Sequence, residues 1–134
     1  MMPEDIEKKY IDSLTLLEDP GSQCEYLLML GLARPARESV REDRYQIGGC
    51  KTAIWLKAWL ENGRLRVSWD SDSLLVKGVL AILEDMYAGK SPQEVKAHPP
   101  CFLDHISDDV IYPEIKQNGI SKCFQRLATL TISL

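Results

Sequence analysis

The dipeptide Asn62-Gly63, flanked on both sides by residues of alternating polarity, constrains this chain more than any other feature. Asn-Gly favours the type I′ turn, which needs φ > 0 at both central positions and joins two antiparallel strands. Taking that pair as the loop fixes a register. Glu61 faces Arg64, Leu60 faces Leu65, Trp59 faces Arg66, Ala58 faces Val67 and Leu56 faces Trp69. One face is then apolar throughout, with Leu56, Ala58, Leu60, Leu65, Val67 and Trp69. The other carries an opposite-charge pair and an arginine over an indole ring. A slip of one residue would scramble both faces.

The segments around the hairpin read as helices. Glu4 to Glu18 places Ile6, Tyr10, Leu14 and Leu17 at helical spacing. Asp19-Pro20-Gly21 ends that helix, and Ser22 with Glu25 forms a capping box for the next. Ala36 to Gly49 is polar and irregular, with room for a short strand at Tyr45 to Ile47. Ser71-Asp72-Ser73 supplies caps for a long helix through Tyr87, which Gly89 stops. Gly78 in its interior costs about 1 kcal/mol against Ala, so close packing is its reason. Ser91-Pro92-Gln93-Glu94 opens a short helix. A last helix runs from about Pro113 to Leu130 on the stripe Ile120, Cys123, Phe124, Leu127 and Leu130. The expectation is one α+β domain over residues 1–134. It has a small antiparallel sheet of about three strands covered by helices on one face. Trp55 and Trp59, on the other face, are expected to lie under another element.

Charge narrows the partners. The chain has 16 basic and 20 acidic residues and a net charge of -4. The basic residues are scattered, so no phosphate-neutralising patch forms and nucleic acid is not an expected partner. No apolar run is long enough to span a bilayer, and the acidic N-terminus lacks a signal-peptide pattern, so the expected location is the cytoplasm. In that reducing setting the four cysteines, Cys24, Cys50, Cys101 and Cys123, are expected as free thiols.

Cys50 stands apart. It follows Gly48-Gly49, which free the backbone and leave the sulfur approachable, and it precedes Lys51, whose ammonium favours thiolate. A thiolate that attacks a sulfur–sulfur bond carries out exchange or sulfane-sulfur transfer. Gly-Gly-Cys alone also reads as a plain turn before a strand. A rival reading gathers Cys50, Cys101, Cys123 and His98 as a metal or iron–sulfur set. A third is an interaction domain without sulfur chemistry.

Four segments decide among these readings. Tyr26-Leu27-Leu28-Met29-Leu30-Gly31, Ile47-Gly48-Gly49-Cys50-Lys51-Thr52-Ala53-Ile54-Trp55, Asp70-Ser71-Asp72-Ser73-Leu74-Leu75-Val76-Lys77-Gly78 and Lys116-Gln117-Asn118-Gly119-Ile120 occur in this order. Together they resemble the SufE/CsdE family of sulfur acceptors for cysteine desulfurases. The resemblance implies a fold shared with IscU-type scaffolds and a single essential cysteine, matched by Cys50. It implies a PLP-dependent desulfurase of the SufS or CsdA kind as donor and an iron–sulfur assembly scaffold as recipient. It also implies no cofactor or metal in the carrier itself. The chain is expected to be a monomer or weak homodimer. Asp72, a helix cap on the plain reading, becomes a candidate docking residue near the Cys50 loop. Lys116, which stands where the family usually has Arg, becomes another.

Overall fold

The computed structural model describes residues 1–34 and 38–130. Helices α1 (Pro3–Leu16) and α2 (Pro20–Leu32) come first. The hairpin β1 (Ile54–Glu61) and β2 (Arg64–Ser71) leads into α3 (Leu74–Tyr87) and α4 (Pro92–Ala97). The C-terminal helical run is α5 (Pro113–Ile115), a π turn over Lys116–Ile120, and α6 (Ser121–Thr129).

The hairpin register is the expected one at every pair from Leu56–Trp69 to Glu61–Arg64. Asn62 has φ 55° and Gly63 φ 75°, as a type I′ turn requires. Leu56, Leu65 and Trp69 are buried, and helices cover that face. On the opposite face the ion pair forms diagonally, Arg66 Nε to Glu61 Oε2 at 3.1 Å. Lys57, not Arg66, carries the cation over the Trp59 ring, at 5.2 Å. Trp55 is covered as expected, with the Arg41 guanidinium 4.5 Å from its ring centroid. Trp59 is not; it remains 38% exposed.

The sheet has two strands rather than about three. Asp43–Tyr45 forms a 3₁₀ turn, and the expected third strand shrinks to a single bridge, Gln46 with Trp55. The backbone amides there are used locally: Tyr45 N–H donates to Glu42 O at 2.9 Å and Gln46 N–H to Asp43 O at 3.2 Å, so neither is left for a longer ladder. The Arg126 guanidinium of α6 donates to the carbonyls of Tyr45 (2.9 Å), Gln46 (3.4 Å) and Leu56 (3.1 Å). Ala36 and Arg37, the start of the polar segment, lie outside the described residues.

Two caps differ from expectation. Asp19, not Ser22, caps α2: its carboxylate accepts from Ser22 N–H at 3.0 Å, and Pro20 fills the first helical position. Ser73, not Asp72, caps α3 by accepting from Val76 N–H at 3.2 Å. Gly89 follows α3 with φ 81°, and the capping box of Ser91 and Glu94 forms. α3 is the centre of the core, burying Val76, Val79, Leu80, Ile82, Leu83, Met86 and Tyr87. None of the described helices is long and apolar enough to cross a membrane.

Asp70 anchors the end of β2. Its side chain is 1% exposed and is paired with Arg41 Nε (2.8 Å) and Lys77 Nζ (3.3 Å). Burial opposes its ionisation, but donation from Arg41, the Ser71 amide and Lys77 outweighs that and holds its pKa below 3.8. A depressed folded-state pKa stabilises the fold fully above the unfolded value, and the contribution is lost as pH falls through the folded one. Asp70→Asn is therefore expected to cost about 2 kcal/mol at neutral pH. The deficit should shrink in acid. Urea unfolding of both proteins at pH 7 and below pH 3 checks this; a deficit equal at both would contradict it.

Candidate functional site

Cys50 lies at the tip of a short loop whose two stems are joined. Ile47 N–H donates to Ile54 O at 2.8 Å, and the Gln46–Trp55 bridge sits just below. The loop therefore leaves and re-enters at nearly one point. Gly49 has φ 82°, where a side chain would be strained, so glycine is needed there. Gly48 is not in that region and has open space around it; its contribution is its carbonyl.

The C-terminal helical run holds the loop. Lys122 Nζ donates to Gly48 O at 2.8 Å. Lys51 N–H donates to Glu114 Oε1 at 3.3 Å. Arg126 clamps the stems through Tyr45 and Leu56. The sulfur itself rests against the helix at Gly119, where an added Cβ would lie 3.1 Å from Cys50 Sγ and 3.0 Å from Ile54 Cδ1. Two segments far apart in the chain, the Cys50 loop and Asn118-Gly119, thus meet at one atom. The contact falls within the π turn, where Ser121 N–H bonds back to Lys116 O and Ser121 Oγ bonds the same carbonyl at 3.0 Å.

Cys50 is half-buried. Burial is the first cause that pushes its thiol pKa up. The Thr52 amide N–H pulls it down, the Glu114 carboxylate pushes it up and the Lys122 ammonium pulls it down. The cation that favours the thiolate is thus Lys122; Lys51 contributes its backbone. The net effect shields the resting sulfur and favours the thiol over the thiolate. Glu114→Gln keeps an acceptor for Lys51 N–H and removes the charge. It is expected to raise the iodoacetamide rate of Cys50 at pH 8 by a few-fold, measured by peptide mapping; an unchanged or slower rate would count against this account.

The other expected residues divide. Asp72 is exposed and pairs with Arg41 Nη1 at 2.9 Å. Lys116 is turned inward: Nζ donates to Ile106 O at 2.5 Å and to Asp108 Oδ1 at 2.9 Å, with the side chain 15% exposed. It ties the loop before α5 to the π turn. Beside it lies a cleft of about 630 Å³ walled by Leu103, Ile106, Asp108, Lys116, Gln117 and Ser121; Cys50 does not line it. The metal set of Cys50, Cys101, Cys123 and His98 does not assemble. His98 and Cys101 gather with Glu7, the only group of three or more such ligands within 4.8 Å among the described residues. Pro99-Pro100 and the end of α4 hold that pair against α1, while Cys123 is fully buried on α6, its thiol pushed up to about 12 by burial.

Glu114, Lys122 and Arg126 were not singled out from the sequence. Their signal was available: Lys122 and Arg126 are four apart, on one face of the last helix.

Comparison with known proteins gives the family and the fold. The family model described as SufE, Fe-S metabolism associated domain, matches residues 8–131. A SufE-like protein of Synechocystis is 28% identical over 93% of this chain and 79% of its own length. The sulfur acceptor protein CsdE of Escherichia coli is 35% identical over 67% of this chain. The match spans 60% of CsdE, less than two thirds of that protein. The solution structure of a hypothetical protein from Thermus thermophilus superposes with a TM-score of 0.74 at 20% identity, covering 99% of this chain and 97% of that one.

Proposed function

The chain belongs to the SufE family, and on that premise we propose that it accepts sulfane sulfur on Cys50 from a cysteine desulfurase. The donor is a PLP-dependent enzyme of the SufS or CsdA kind, whose own active-site cysteine carries the sulfur as a persulfide. The recipient is an iron–sulfur assembly scaffold. Removing the product sulfur from the donor accelerates its turnover. Two relatives support the reading by their names, the sulfur acceptor CsdE of E. coli and the cysteine desulfuration protein SufE of Plasmodium vivax.

The observation that carries the proposal is the position of Cys50 at a loop tip held by reversible anchors. These are one lysine-to-carbonyl bond from Lys122 and one amide-to-carboxylate bond to Glu114. The step is a displacement at sulfur. Cys50, as thiolate, attacks the outer sulfur of the donor persulfide. The donor's sulfur–sulfur bond breaks and its cysteine leaves as thiolate. A new sulfur–sulfur bond forms on Cys50, and the proton that Cys50 gave up to solvent on ionising is matched by the one the departing thiolate takes up. No net oxidation occurs.

Gly49 gives the hinge, Gly48 offers the carbonyl that Lys122 holds, and Gly119 gives the resting sulfur its seat. Lys51, exposed beside the thiol, and Asp72, exposed at the start of α3, face a docking partner. Lys116 acts from inside, by fixing the π turn.

The test is mass spectrometry of the full chain after incubation with a PLP-dependent desulfurase and L-cysteine. One added sulfur should map to the Cys50 peptide and vanish with dithiothreitol. Sulfur mapping equally to Cys24, Cys101 or Cys123 would overturn the assignment.

A further inference from the structure

The buried carboxylate of Glu7 marks a second site, remote in sequence from Cys50. Glu7 belongs to α1 and is 1% exposed. Its Oε2 accepts two backbone amides, Cys101 N–H at 2.6 Å and Phe102 N–H at 2.9 Å. That fixes the carboxylate plane and aims Oε1 at two side chains. His98 Nε2 lies 2.6 Å from Oε1 and Cys101 Sγ lies 3.1 Å from it. One carboxylate oxygen, one imidazole nitrogen and one thiol sulfur therefore converge within 4.8 Å.

This donor set suits a borderline-soft divalent cation. Carboxylate, imidazole and thiolate are the ligands of zinc, and three of them leave a fourth position for water. The opening exists, because Cys101 is exposed while Glu7 is buried beneath it. The supporting shell exists too. Beyond the amides on Glu7, His98 Nδ1 faces Glu4 Oε2 at 3.8 Å, placed to orient a metal-bound imidazole. Tyr87 Oη donates to the His98 carbonyl at 2.6 Å, and Pro99-Pro100 stiffens the span between the two loop ligands.

We propose that Glu7, His98 and Cys101 form a mononuclear Zn(II) site. The charges balance: Glu7 and the Cys101 thiolate supply two negative charges and His98 binds neutral through Nε2. Binding displaces the Cys101 thiol proton to solvent, and the imidazole proton resides on Nδ1, toward Glu4. The site ties α1 to the loop after α4 and uses neither Cys50 nor Cys123.

The experiment uses the reduced, metal-free full chain. Zinc is titrated against a chromogenic chelator, and Co(II) is added separately as a spectroscopic probe. The expected result is one zinc per chain and a thiolate-to-cobalt charge-transfer band. Cys50→Ser should retain both. Cys101→Ser and His98→Asn should lose the band (for the former) and bind zinc about tenfold more weakly or worse (for both). Circular dichroism confirms that the variants are folded, which the exposure of Cys101 favours. Absence of stoichiometric zinc, or zinc binding that survives Cys101→Ser at full affinity or disappears with Cys50→Ser, would overturn the proposal.

Discussion

Desulfurase turnover with the Cys50→Ser chain is expected to equal turnover with no carrier added. The wild-type chain should raise it. Serine is close to cysteine in size but cannot form a persulfide, so the sulfur has nowhere to go. The substitution touches little else. The side chain is half-buried against Gly119, and the loop is held by the Gly48 carbonyl and the Lys51 amide, neither of which changes. Stability should move by no more than about 1 kcal/mol. Thermal unfolding alongside the rate assay separates loss of chemistry from loss of fold. Stimulation preserved in Cys50→Ser would mean that the chain activates its partner by docking alone.

Gly78→Ala is expected to be the most damaging single methyl in the molecule. A Cβ there would lie 2.2 Å from Leu27 O and 2.8 Å from Leu27 C, both backbone atoms of α2. Backbone cannot rotate away as a side-chain tip can, so α2 and α3 must separate along their whole contact. The reciprocal position is as tight: a Cβ on Gly31 would lie 2.8 Å from Leu74 O. The expected cost is about 3 kcal/mol, the upper end of overpacking, which lowers Tm by roughly 10 °C. Gly48→Ala, with open space around it, is the control and should be near neutral. Calorimetry of the two variants decides; equal melting temperatures would refute the close-approach account.

These two sites show how differently parts of the chain could be read. The hairpin was legible down to its register, because a two-residue turn and a period-two pattern are local and each restricts the other. Helix starts were legible to within a few residues. Where two cap residues competed, as Asp19 with Ser22 or Asp72 with Ser73, the order along the chain did not choose. Proline at the first position chose Asp19, and the geometry of the β2–α3 junction chose Ser73. The expected third strand is a single bridge because the Tyr45 and Gln46 amides turn back to Glu42 and Asp43 in a 3₁₀ turn, which the alternating pattern of so short a segment does not reveal.

Cys50 stands out in the sequence through its neighbours Gly48 and Gly49 taken together with the family resemblance of the surrounding segments. Its environment does not. Lys51 is adjacent in sequence and looked like the cation for the thiol; Lys122 is the one that acts there. His98 and Cys101 stand out in the sequence as ligand types, yet the residue that the fold brings to them, Glu7, lies on the first helix.

The sequence alone determined the hairpin and its register, most of the helices, and which cysteine stands on a glycine loop, because each depends on residues within one turn or one strand pair. Only the tertiary structure decided what surrounds that sulfur, how ionised it is, and which acid joins His98 and Cys101. Burial and Coulomb interaction act through space, and the helix ends and loops that exert them here come from opposite ends of the chain.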